Sequence, residues 1–84
     1  MKKVVMFSAS WCSPCKQAKP IFEQISKNEP DAYFEVVDID DNRLMAQDYN
    51  ITSVPTFLVI EDNEEVNRLV GAQNVVRVKE LLRG

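Results

Sequence analysis

Eighty-four residues, 45% apolar and 27% charged, suffice for one small core and one domain over 1–84. Ten basic against thirteen acidic side chains leave a net charge of −3, which argues against nucleic acid or an anionic membrane as partner. Histidine is absent, so Cys-His and Ser-His catalytic pairs and imidazole metal ligands are excluded.

In chain order, Lys3 to Ser8 is a short β-branched run that predicts a buried strand. Its apolar part stops after Phe7, too soon for a signal peptide, and no stretch reaches membrane-spanning length. A cytoplasmic protein is the expectation. Ser13 to about Asn28 is predicted helical, with Ala18, Ile21, Phe22 and Ile25 on one face. Pro14 falls in its first turn, where the missing N–H costs nothing. Pro20 lies deeper and should bend the helix, because the bond back to the Lys16 carbonyl is lost. After Glu29-Pro30-Asp31, Tyr33 to Ile39 predicts a second strand, parallel to the first across a right-handed crossover. A short helix from about Asn42 to Tyr49 follows, with Asn50 as a left-handed cap.

Thr56 to Ile60 and Glu65 to Val70 then form an antiparallel hairpin around Asp62-Asn63. Asn74 is expected to cap a last helix whose apolar stripe is Val75, Val78, Leu81 and Leu82. The sum is an α/β fold, βαβ, a linking helix and ββα. Its sheet is mixed and four-stranded, with helices on both faces.

The chemistry sits in Trp11-Cys12-Ser13-Pro14-Cys15-Lys16, which holds both cysteines of the chain. Thiols this close can join as a disulfide or bind a metal together. A merely structural bridge is disfavoured, because closing so short a loop removes little entropy from the unfolded chain. In a cytoplasmic setting a lone Cys-x-x-Cys points to redox or metal chemistry.

A strand leading into this motif, followed by a helix with an internal proline, resembles the thioredoxin family. Val54-Pro55-Thr56 before the third strand and Val70-Gly71-Ala72 after the fourth strengthen the resemblance, which covers nearly the whole chain. It implies a minimal thioredoxin-like fold of sheet order 2-1-3-4, in which the family's extra N-terminal strand and helix are missing. Three positions depart from the pattern: Met6 stands where a buried Asp is usual, Val36 where a nearby Lys is usual, and Ser13 replaces a Gly. Glutaredoxins share the small size, but their Gly-Gly pair and acidic residue are not matched by Gly71-Ala72-Gln73-Asn74.

The resemblance implies a redox-active Cys12–Cys15 disulfide and no bound cofactor. Cys12, at the helix start and exposed, would be the nucleophile; Cys15, facing inward, would resolve the mixed disulfide. Lowering a thiol pKa from ~8.5 to ~7 raises its thiolate fraction at pH 7 from ~3% to ~50%, but weaker nucleophilicity removes roughly fivefold. The spacing, which makes the second attack intramolecular, is therefore the main device. Ser13, Pro14 and Lys16 would tune the site, although Lys16 reads more simply as a solvated surface charge. Trp11, Ser53, Val54, Pro55, Gly71 and Ala72 would bind substrate, with a cis bond before Pro55 and the Val54 backbone open to an added strand. Read plainly, Pro55 and Gly71 are turn residues and Trp11 a core residue. The acidic run Asp38, Asp40 and Asp41 reads as the solvated start of the second helix.

Implied partners are disulfide-containing proteins and an NADPH-dependent flavoenzyme resembling thioredoxin reductase, with the chain itself a monomer. Alternatives are a glutathione-coupled, glutaredoxin-like donor, a metal-bridged dimer of two Cys-x-x-Cys pairs, and an interaction module with vestigial thiols.

Overall fold

Val4, Val5, Met6 and Phe7 are all fully buried, which forces their strand into the middle of a sheet covered on both sides. The computed structural model describes residues 2–83. In it, β1 spans Lys2–Ser8, α1 Ser13–Lys27, β2 Ala32–Asp38, α2 Arg43–Asp48, β3 Thr56–Glu61 and β4 Glu64–Val70. A 3₁₀ segment, Ala72–Arg77, runs into α3, Val78–Arg83. The sheet order is β2-β1-β3-β4, with β1 parallel to β2 and antiparallel to β3, and β4 antiparallel to β3. This is the expected thioredoxin-like architecture.

Alternation along β1 divides the core. Val4 and Met6 join Phe57, Val59, Ala18, Phe22 and Val78 beneath α1 and the C-terminal helices. Val5 and Phe7 point the other way, to Val37, Leu58 and Ile60, where Met45, Tyr49 and Ile51 close the face from the α2 side. Phe22 anchors α1 by an edge contact to Phe34 at 5.3 Å between centroids and a tilted one to Phe57 at 5.8 Å.

The hairpin turn has Asp62 at φ 53° and Asn63 at φ 67°, the left-handed pair that a two-residue primed turn needs. Asn50, at φ 54°, ends α2 as expected. α1 continues through Pro20 as one helix.

Two features differ from the sequence reading. Asn74 does not cap the last helix: the turn begins after Gly71, and the Asn74 side-chain amide donates to the Val70 carbonyl at 2.7 Å. The helical stripe is real, but its first turn is 3₁₀, and a 3.6-residue period says little about such a short tightened segment. The β3–β4 ladder also slips between Val59 and Ile60, leaving Val66 bulged and half exposed.

Candidate active site

β1 delivers the chain to a tight turn, in which the Cys12 N–H donates to the Ala9 carbonyl at 3.1 Å, and α1 starts at once. Cys12 is its N-cap, with extended backbone at φ −92° and ψ 104°. Its sulfur does what a capping oxygen does elsewhere, accepting the Cys15 N–H at 3.2 Å. Pro14 sits in the first turn and gives up no helical bond. The two sulfurs are joined in a disulfide, with Cα atoms 5.3 Å apart.

Opposite lies the loop before β3. The Val54–Pro55 peptide bond is cis, Pro55 is fully buried, and the Val54 carbonyl oxygen is 3.8 Å from Cys12 Sγ. That approach corrects one expectation. Cys12 is not openly exposed: it is 5% accessible against 1% for Cys15, because the Val54–Pro55 loop leans over the sulfur. Cys12 remains the more accessible of the two. Thr56, the one buried polar side chain among the described residues, steadies the loop by donating to the Ser53 carbonyl at 2.7 Å. Gly71, at φ 103°, donates its N–H to the Pro55 carbonyl at 2.9 Å, so the end of β4 and the proline loop hold one another. Ala72 and Val54 both pack against the core beneath α1.

Trp11 is 66% exposed, which rules out the core-residue reading. Its indole N–H donates to Asp40 Oδ2 at 3.0 Å. Asp40 is the residue that sequence reasoning missed. It belongs to an acidic run that looks like ordinary solvated surface, and only the folded chain brings it to Trp11 across 29 positions. Ser13, Lys16 and Ser53 are exposed. Met6 is fully buried and pairs with Val36 in the β1–β2 ladder, so two of the three departures from the family pattern lie side by side in the sheet. Among the described residues no cluster of three or more cysteine, aspartate or glutamate side chains could hold a metal, and the two cysteine sulfurs are joined to one another.

A family model described as Thioredoxin matches residues 1–83. The chain belongs to the thioredoxin family. Among curated relatives it is 41% identical over 70 residues to a thioredoxin H-type of Oryza sativa subsp. indica, an alignment covering 83% of this chain and 57% of that protein. Identity is again 41% over 70 residues to thioredoxin H-type 1 of Nicotiana tabacum, covering 83% and 56%. The chain thus spans little more than half the length of these thioredoxins. Among solved structures, Fasciola hepatica thioredoxin superposes with a TM-score of 0.91 at 39% identity, covering 98% of this chain and 78% of that one. Reduced Schistosoma mansoni thioredoxin pre-protein gives 0.92 at 39% identity, covering 98% and 76%. Among the described residues no helix is long and apolar enough to cross a membrane.

Proposed function

We propose that this thioredoxin-family chain is a thiol–disulfide oxidoreductase that reduces disulfides in proteins. One observation carries the reading: a Cys12–Cys15 disulfide at the start of α1, faced by the cis Val54–Pro55 bond. In the reduced form the Cys12 thiolate attacks a substrate disulfide, and one substrate sulfur departs as a thiolate. The Cys15 N–H and the N-terminal end of α1 favour negative charge at Cys12, both before attack and when it leaves again. Cys15 then attacks Cys12 Sγ, releases the second substrate sulfur and restores the disulfide. Nothing diffuses in this step, which is the source of its speed.

Trp11, Ser53, Val54, Pro55, Gly71 and Ala72 form the substrate-binding rim in this reading. An extended substrate segment pairs with the backbone beside Pro55 as an added strand. Trp11 offers an exposed flat apolar face whose polar edge is already satisfied by Asp40. A thioredoxin-reductase-like flavoenzyme recharges the disulfide in the cytoplasm, the cysteines themselves carrying the electrons. The match to thioredoxin H-type proteins and the fold support this assignment.

The test is a trapping experiment. Cys15→Ser should accumulate a mixed disulfide on Cys12, and Cys12→Ser should abolish reduction of a protein disulfide. Failure of the two-cysteine protein to reduce any accessible disulfide would sink the proposal. Recharging by glutathione, and not by a thioredoxin reductase, would move it to the glutaredoxin mode of coupling. Stoichiometric metal on freshly purified protein would replace it with the bridged dimer.

A further inference from the structure

Cys15 must shed a proton before it can attack, yet its side chain is 1% exposed and no carboxylate is buried near it among the described residues. The apolar pair Met6 and Val36 lies beneath it in the sheet. One opening reaches it from solvent: a pocket of about 410 Å³ to whose wall Cys15 contributes, along with Ser10, Lys16, Lys19, Val36 and Asp38. Its charged groups are few. Lys16 and Lys19 come from α1, one turn apart, and Asp38 from the end of β2, where its Oδ1 already accepts the Asp40 N–H at 2.8 Å. Neither lysine forms an ion pair among the described residues. The wall that β1 and its following turn supply, Ser8, Ala9 and Ser10, carries no charge. Two cations and one anion therefore line the pocket to whose wall Cys15 contributes.

We propose that Cys15 ionises into this pocket: solvent there takes its proton, and the field of Lys16 and Lys19 holds the resulting thiolate against the opposing charge of Asp38. The proposal deepens the oxidoreductase reading and rests on it. In the resolving step the Cys15 S–H bond breaks and its proton goes to pocket water. The thiolate forms a bond to Cys12 Sγ, the bond from Cys12 to substrate breaks, and the substrate thiolate leaves to be protonated by solvent. The dithiol is oxidised and the substrate disulfide reduced, with no further reactant. Lys19 is thus a positioning charge for the resolving thiol, distinct from Lys16, which also flanks Cys12.

The experiment titrates Cys15 by ultraviolet thiolate absorbance in a Cys12→Ser background, where it is the sole thiol. Lys19→Gln should raise its midpoint by roughly half a pH unit, because an opposite charge near the thiolate is lost. Lys19→Arg should restore it. Asp38→Asn, which keeps the side-chain oxygen that accepts the Asp40 N–H, should lower the midpoint by roughly as much. High salt should shrink both displacements. A midpoint unmoved by Lys19→Gln, or moved upward by Asp38→Asn, overturns the proposal. The titration uses no disulfide substrate. A wild-type protein unable to reduce disulfides would fail the oxidoreductase reading while leaving this measurement legible.

Discussion

The hydrogen bond from Trp11 to Asp40 fixes an exposed aromatic ring at the edge of the redox pair. Left free, the side chain would sample several rotamers, and substrate would have to order it on docking. Asp40→Ala should therefore lower kcat/KM for a protein disulfide about fivefold, equivalent to the ~1 kcal/mol of one such bond. A small disulfide that never touches Trp11 should react as before, and steady-state kinetics on both substrates checks the split. Gly71 poses a backbone question instead. Its φ of 103° is unfavourable for any residue with a side chain, and a Cβ there would meet the Gln73 side chain at 2.7 Å. Gln73 can swing away, but the backbone cannot relax without losing the bond to Pro55. Gly71→Ala should cost about 1–2 kcal/mol in denaturant unfolding and loosen the proline loop.

At the scale of elements, α1 is held to the sheet chiefly by Phe22, fully buried between Phe34 and Phe57. Phe22→Ala should destabilise the fold by about 3–5 kcal/mol, readable as a shift in the denaturation midpoint. Periodicity made this element and all four strands legible, since a run such as Val4 to Phe7 or Thr56 to Ile60 has few ways to be buried. The Asp62-Asn63 turn was legible for the same kind of reason: only a few residues tolerate positive φ. What escaped the sequence is what long-range packing decides. The 3₁₀ start after Gly71, the bulge at Val66 and the partnership of Trp11 with Asp40 have no local signature. The near-burial of Cys12 was equally hidden, because it comes from a loop 42 positions away. Cysteine spacing pointed to the paired thiols, while the pocket beside Cys15 needed β2 and α1 in place together.

Across the whole molecule, Arg68 fastens the edge of the sheet to the far end of α2. It donates to both Glu65 carboxylate oxygens, at 2.7 and 2.8 Å, and to the Tyr49 and Asn50 carbonyls, at 2.5 and 3.4 Å. A cation on the last carbonyls of a helix also favours that helix. The hydrogen bond from Arg68 holds the Glu65 carboxyl below its ordinary value of 4.5. A lowered folded pKa means that this stabilisation is fully present above pH 4.5 and is lost as pH falls through the folded value. Arg68→Ala should cost roughly 1–2 kcal/mol at neutral pH. The gap from wild type should narrow in acid, as urea melts across pH 3–7 would reveal.

The strand order has a further consequence for the chain while it is being made. β1 can pair with β2 as soon as the first half has left the ribosome, but its other flank belongs to β3, some fifty positions later. Until the hairpin arrives, the first half presents an unpaired strand edge and a naked apolar surface. Nascent chains of this protein are then the form most in need of a chaperone.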